Sequence, residues 1–428
     1  MLTQDLLTVD SLGPPRFDST LGARTTFVDE SQGIRAVLEV RDGAPDGHDV
    51  HFLKGGPRAK LFFDPRATTA ALVTCGGLSP GLNDVIRSAT HALRFNYGVP
   101  RVLGARDGFR GLSPDLGIEP IELTPSAVQD IHYLGGTFLG SSRGSQDVGR
   151  MVDFLTERQI DILLCVGGDG TQRGAHAIAH EVRRRGLAKA IIGVPKTIDN
   201  DIPFVETSFG YATALEKASE VIRAAHAEAR GAPNGIAVVK VMGRDSGFIA
   251  ASAAVVSKET NFVLIPEFPF PLEGDKGFLP ALERRIRERQ HAVIVVAEGA
   301  GQDLFDDGER ERDASGNVLH KDIGVFLRDR IRTYFRERDL EATVKYLDPS
   351  YLIRSIPTNA WDAYLSDRMA RQAVHAGMAG KTDVMVGMVN GRMIYVPLGT
   401  VTRQARRRVE RRSPLWSSVV LGTGQPDW

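Results

Sequence analysis

From Ala70 onward the chain alternates short apolar runs with helical stretches, and this alternation narrows its possible folds more than any other feature. The runs at 70–75, 101–105, 161–166 and 190–195 are interleaved with helical stretches at about 82–96, 145–158 and 171–185. After a long helical segment from about Tyr211 to Arg230 the pattern restarts, with strands at 235–241, 262–266, 292–297 and 342–347 and helices at about 246–257, 277–289 and 322–337. Strands alternating with helices build βαβ units, and βαβ units build parallel sheets. Two α/β units are therefore expected, in keeping with 428 residues being more than one core usually holds. Residues 1–65 are richer in Gly, Pro and Asp and less periodic, and read as an N-terminal extension with a short strand near Ala36 to Val40. Near the other end, Thr358 to Ala376 reads as a helix and VMVGMVNGRMIYVPL as a hairpin turning at Asn390-Gly391.

The chemistry sits where strands end. VGGDGTQRGA at 166–175 places Gly167, Gly168, Asp169 and Gly170 after an apolar run and before a helix expected to begin near Thr171. Backbone N–H groups in such a loop approach phosphate oxygens closely, and the helix N-terminus adds partial positive charge. PKTIDND at 195–201 puts Thr197, Asp199 and Asp201 just past the next strand, at the same end of the presumed sheet. Three carboxylates and a hydroxyl are thus expected at one crevice. They suit a magnesium ion, which prefers oxygen ligands, and leave one carboxylate to take a proton from an attacking alcohol. A further glycine loop, CGGLSPGLND at 75–84, opens the first helix and reads either as a phosphate loop or as a simple βα turn.

Other features read more plainly. Equal numbers of basic and acidic residues, 53 of each, argue against a general nucleic-acid or membrane-surface role. No basic-then-apolar leader and no run of about 18 apolar residues is seen, so a cytoplasmic location is expected. Cys75 and Cys165, the two cysteines, read as strand-packing residues rather than a redox pair. His176 and His180 stand at metal-pair spacing on one helix, but with no third ligand suggested nearby they read as ordinary helix residues. The loop GQDLFDDGERERDASGN reads as solvated, and RQARRRVERR at 403–412 as a basic tail, with a subunit or anion contact as the alternative.

GGDGT, PKTIDND and MGRDSGF at 242–248, in this order and spacing, resemble the 6-phosphofructokinases from about Ala70 to about Leu398. GGDGT alone is shared with NAD kinases and lipid kinases; the three together are specific. The resemblance implies two Rossmann-like three-layer domains with mainly parallel sheets. A nucleotide-binding domain is expected over 66–210, completed by about 355–400, and a sugar-phosphate domain over 211–354, with 401–428 left as the C-terminal tail. It further implies transfer of a phosphoryl group from ATP with Mg²⁺ to the 1-hydroxyl of fructose 6-phosphate. Asp199 is then the general base, and Asp169 and Asp201 the metal environment. Thr197 either positions the migrating group or bonds its own turn. Gly77, Gly168, Asp169, Gly170, Thr171, Gly174 and Lys196 would line the nucleotide. Arg143 in GGTFLGSSRG would contact the transferred phosphate, its fork suiting charge on equatorial oxygens.

For the sugar phosphate, the same resemblance implies Met242, Gly243, Arg244 and Glu298 at the C-terminal ends of second-domain strands. Lys345, Tyr351 and Arg354 in KYLDPSYLIR match the pattern that grips the 6-phosphate. Leu78, where the short bacterial members carry Asp, places this chain nearer the long, pyrophosphate-like branch, and Gly235 stands where those members have a second phosphate-binding Arg reaching across a subunit interface, an Arg that longer members often lack. The donor is read from two positions. Pyrophosphate users typically have Asp at the place of Gly170 and Lys at that of Lys196. Gly170 leaves space for the nucleotide's α-phosphate, so ATP is expected, with pyrophosphate as the alternative. An NAD kinase-like enzyme or a non-catalytic sugar-phosphate sensor are more distant readings. A homodimer or homotetramer is expected, since the family shares sites between subunits.

Overall fold

The computed structural model describes residues 3–37, 50–305, 311–312 and 318–428. The chain forms two compact units. One comprises Met1–Thr197, Ile202–Gly210 and Ile356–Arg406; the other comprises Ile198–Asp201, Tyr211–Ser355 and Arg407–Trp428.

In the first unit the described residues form a nine-stranded sheet. From edge to edge its strands are Gly33–Arg35, His51–Lys54, Arg392–Pro397, Val384–Val389, Ala190–Pro195, Ile162–Gly167, Thr69–Thr74, Arg101–Ala105 and Ile121–Glu122. The five from Val384–Val389 to Arg101–Ala105 run parallel, and the outer ones antiparallel. The strands Thr69–Thr74, Ile162–Gly167 and Ala190–Pro195 are buried at every position, which is why they read as continuous apolar runs rather than as alternation. Asn390 and Gly391 both have positive φ, 50° and 68°, as a two-residue hairpin turn requires. Cys75 and Cys165 are buried among these strands, and burial pushes the Cys75 thiol up to about 12 and the Cys165 thiol upward as well.

The N-terminal extension belongs to this unit. Gly33–Arg35 and His51–Lys54 prolong the sheet past the hairpin, and Leu7 and Phe52 are each 1% exposed within its core. The strand expected near Ala36 to Val40 lies earlier, at Gly33–Arg35, and 38–40 fall outside the described residues. Ile34, opposite Phe52, is its only apolar side chain, too little to show as a run. The helix expected to about residue 96 is α-helical over Leu82–His91 and π-helical over Ala92–Tyr97, ending at Gly98 with φ 78°.

His375, on the helix Ala360–Met378, gives this unit an acid sensitivity. Its Nδ1 lies 2.7 Å from the Tyr97 hydroxyl, and burial holds its imidazole down at about 4, with Arg371 and Arg58 acting in the same direction. A histidine kept neutral in the fold but free to charge when unfolded costs stability as pH falls from about 6.5 towards 4. The loss reaches roughly 3 kcal/mol at most, since each tenfold change in proton affinity is worth about 1.4 kcal/mol and the residue keeps some exposure. Urea unfolding at several pH values is expected to show this slope, and His375→Gln to flatten it; equal slopes in both proteins would remove His375 as its source.

In the second unit the described residues form a four-stranded parallel sheet, ordered Phe262–Leu264, His291–Ala297, Gly235–Val241 and Thr343–Leu347. Its alternate residues supply two cores. Ala237, Val239, Val241, Val293 and Val295 face the helices Tyr211–Arg230 and Phe248–Ser257. Ile236, Val238, Ile294 and Val296 face Phe278–Arg289 and Ile323–Arg336. The period of two along each strand thus produces three layers. The C-terminal segment also packs here: Pro414–Thr423 is a helix capped by Ser413, and its Trp416 and Val419 are buried in the first of these cores. Of the charged loop after Glu298, Gln302–Leu304 is a 3-10 turn, and 306–310 and 313–317 lie outside the described residues. No helix among the described residues is long and apolar enough to cross a membrane.

Candidate active site

In the first unit the strand Thr69–Thr74 leads on one side to Arg101–Ala105, while Ile162–Gly167 pairs on its other side. The strand order therefore reverses between Thr69–Thr74 and Ile162–Gly167, and a crevice outside the C-terminal ends of such strands is where ligands bind in open α/β sheets. The two glycine loops begin there. Gly76, with φ 84°, turns the first of them; its N–H donates to Ser142 O (3.1 Å) and its carbonyl accepts from Ser141 Oγ (2.6 Å). The exposed Arg143 follows directly on this loop. Lys196, 5% exposed, donates from Nζ to Gly77 O at 2.5 Å, and its backbone N–H donates to Gly167 O at 3.0 Å. Gly77, Gly167, Arg143 and Lys196 thus belong to one set of linked loops.

The second loop differs from expectation in where its helix begins. The helix spans Asp169–Arg184 with Gly168 as its N-cap, so Asp169, Gly170 and Thr171 form its first turn. The cause is local: the N–H groups of Thr171 and Gln172 both donate to Gly168 O, and Gln172 Nε2 donates to Gly167 O and Val194 O. Thr171 turns back onto Gly167, and Gly174 lies against Phe109, where a Cβ would come 2.4 Å from the ring; close packing accounts for that glycine. Gly170 is the opposite case. It is exposed, and a Cβ placed on it would meet nothing within 4 Å.

Asp169 is engaged by two arginines. Arg173, one turn along the helix, and Arg406 (3.1 Å) both donate to its Oδ2. The Asp–Arg spacing of four was legible in the sequence as a helical pair. Arg406, which lies 237 residues away in the basic run, was not.

PKTIDND crosses from one unit to the other after Thr197. Thr197 O accepts from Ser208 Oγ at 2.7 Å within the first unit. In the second unit Asp199 O accepts from Ser246 Oγ (3.3 Å), Asn200 O from Arg407 Nη1 (3.4 Å) and Asp201 O from the Arg407 N–H (2.8 Å). Asn200 has φ 55° and is buried, as is Asp201; Asp199 is half-buried. The backbone carrying both carboxylates is therefore held at three consecutive carbonyls. The expected solvated tail is corrected here, because Arg406 binds Asp169, Arg407 binds the backbone at Asn200 and Asp201, and the Val409 N–H donates to the half-buried Glu267 (2.9 Å). Glu267 also accepts from the Gly247 N–H (2.9 Å), and burial raises its carboxyl above the usual carboxylate range.

Met242, Gly243 and Arg244 follow the strand Gly235–Val241, and Glu298 follows its parallel neighbour His291–Ala297. Glu298 Oε1 accepts from the Arg244 N–H at 2.9 Å, and Arg244 sits in the left-handed region at φ 51°. Gly299 is fixed by this approach, since a Cβ there would lie 1.9 Å from Arg244 O. Tyr351 and Arg354 share the short helix Ser350–Arg354, with the guanidinium 5.0 Å from the ring centroid. Arg354 Nε is buried and lacks a hydrogen-bond partner among the described residues. Lys345 is placed apart from this pair in its interactions: it is exposed on Thr343–Leu347 and lies 3.9 Å from Glu228.

Residues 69–377 match the family model described as Phosphofructokinase. The chain is 44% identical to a protein named ATP-dependent 6-phosphofructokinase from Borreliella burgdorferi, over 98% of this chain and 96% of that one. It is 46% identical to a protein of the same name from Amycolatopsis methanolica, over 99% and 95% of the two chains. Among solved structures, the pyrophosphate-dependent phosphofructokinase from Marinobacter aquaeolei shares the fold with a TM-score of 0.68, at 21% identity over 82% of this chain and 88% of that one.

Proposed function

The chain belongs to the phosphofructokinase family, and from that premise we infer that it is a kinase that transfers a phosphoryl group from ATP to fructose 6-phosphate. The near-full-length relatives named for ATP use support this donor. The observation in the chain itself that carries it is Gly170, where open space lies beyond the helix's first turn and no carboxylate stands in the way of a nucleotide phosphate. A coupled assay for fructose 1,6-bisphosphate, with ATP and pyrophosphate offered separately, tests it: strong turnover with ATP and little with pyrophosphate is expected, and the reverse would overturn the assignment.

The residue roles belong to the same proposal. Lys196 and the loop N–H groups at Gly77 and Gly168 receive nucleotide phosphate charge. Asp199, on a backbone fixed by Ser246 and Arg407, takes the proton of the 1-hydroxyl as the oxygen attacks phosphorus. Arg143 and Arg244 stabilise charge on the equatorial oxygens. The family resemblance makes Asp169 and Asp201 the candidate Mg²⁺ environment, and each offers carboxylate oxygens of the hard kind that ion prefers. Both arginines at Asp169 use Oδ2, which leaves Oδ1 for a further ligand. Bound there, such an ion would supply positive charge to offset the negative charge on the nucleotide's phosphates during transfer. A cytoplasmic location completes the proposal, as does a homodimer or homotetramer, which rests on the family resemblance; light scattering of the purified protein measures the assembly.

Arg354 is assigned to the 6-phosphate because its buried Nε awaits an acceptor. That phosphate does not react, so the contact serves binding. A charge-assisted hydrogen bond is worth about 1.5 to 3 kcal/mol, and Arg354→Ala is expected to raise the KM for fructose 6-phosphate roughly tenfold or more. A raised KM for ATP with that for the sugar unchanged would move Arg354 to the nucleotide.

A further inference from the structure

The histidine pair on the helix Asp169–Arg184 has a third partner that the sequence hid. Asp383, just before the strand Val384–Val389, places Oδ1 2.8 Å from His176 Nδ1 and Oδ2 3.7 Å from His180 Nε2. The two rings lie with centroids 4.3 Å apart, and one ligand atom from each of the three residues lies within 4.8 Å of the others. We propose that His176, His180 and Asp383 form a zinc-type transition-metal site, separate from the phosphoryl-transfer residues.

The distances suit such an ion. Zinc bonds of about 2.0–2.2 Å at tetrahedral angles separate neighbouring ligand atoms by roughly 3.3–3.5 Å, and one ligand atom from each of the three residues already lies within 4.8 Å of the others, close enough for small side-chain rotations to bring them onto an ion. His176 Nδ1 and Asp383 Oδ1 are hydrogen-bonded, whereas His180 at 3.7 Å lies beyond hydrogen-bond reach of Asp383, so no hydrogen bond to Asp383 holds the second imidazole beside the carboxylate. Two imidazoles and a carboxylate favour zinc and its neighbours over magnesium or calcium, which prefer oxygen alone.

The carboxylate is also prepared for the role. Asp383 is 7% exposed, has φ 54°, and its carbonyl accepts from the Leu398 N–H at 2.8 Å, so its position is set by the backbone. Nearby cations have other partners: Lys381 pairs with Glu30, and Arg183 with Asp10. His180 is exposed, with its side chain at 58%, which gives an entry path and leaves the fourth position open to water. Three protein ligands and an open position make an exchangeable site.

The test uses the full chain, stripped of metal with a chelator and titrated with Co²⁺ and then Zn²⁺ in the absence of nucleotide. One equivalent of Co²⁺ with the visible spectrum of a low-coordinate nitrogen and oxygen site, displaced by Zn²⁺, is expected. His180→Ala, at an exposed position where folding is not at stake, is expected to weaken binding by about tenfold or more and to abolish that spectrum. Asp383→Asn is expected to do the same, and His226→Ala, in the other unit, to change nothing. Absence of saturable binding in the unaltered protein, unchanged affinity in His180→Ala, or loss in His226→Ala would each overturn the site.

Discussion

Asp199→Asn is expected to lower kcat roughly 10²-fold to 10⁴-fold while leaving the KM for fructose 6-phosphate nearly unchanged. A positioned general base contributes about that much, because the hydroxyl must lose its proton as it attacks phosphorus, and an amide does not take that proton. The substitution keeps size and shape. The backbone at 199 is held by Ser246 through its carbonyl, a contact the side chain does not make, so the loop is expected to survive. A loss confined to the transition state lowers kcat and kcat/KM together, which separates this outcome from damaged substrate binding. The measurement is steady-state kinetics beside a thermal melt. A variant that melts like the parent and keeps most of its turnover would sink the assignment of Asp199 as base.

Much of this architecture was legible because buried parallel strands and their glycine loops are local in sequence. Ile162–Gly167 and Ala190–Pro195 announce themselves as apolar runs, and Asp169 and Lys196 follow them within two residues. What escaped was long-range. The two weak strands at the N-terminal edge depend on pairing with one another and with Arg392–Pro397, and no short window contains that information. Arg406 reaches Asp169, Asp383 reaches His176 and Val409 reaches Glu267 across large sequence separations. The basic run is the clearest instance. Six arginines within ten residues look like a solvated tail by composition, yet two of them bind loops that carry the candidate carboxylates. Charge density marks a segment as polar but does not say which buried acceptors it will satisfy. The helix start at Asp169 was missed by two residues for a related reason, since Gly168 caps it with a backbone carbonyl and no side-chain cap marks the position.

Gly170→Asp is expected to collapse ATP use while leaving the fold intact. The structure separates these effects. Gly170 is exposed in the first helical turn, and a Cβ there would meet nothing within 4 Å, so an added Cβ carries no steric cost and the position opens outward for a short side chain. An acidic residue at a helix N-terminus is favoured by the helix dipole, and replacing glycine removes its entropic penalty, so the melting temperature is expected to hold or rise. A nucleotide α-phosphate approaching this turn meets a new like charge. At about 4 Å the repulsion is worth roughly 4 kcal/mol at an effective dielectric near 20 and about 1 kcal/mol in bulk water. A bound nucleotide excludes water from the turn, which favours the upper figure and a loss of up to roughly 10³-fold in kcat/KM for ATP. Pyrophosphate has neither α-phosphate nor nucleoside to meet that carboxylate, and Lys196, already bonded to Gly77 O, supplies positive charge for it. Some pyrophosphate-dependent turnover is therefore expected in the variant and little in the parent. Kinetics with both donors on both proteins decide the matter: undiminished ATP turnover in Gly170→Asp, or a parent that prefers pyrophosphate, would show that the open space at Gly170 does not set the donor.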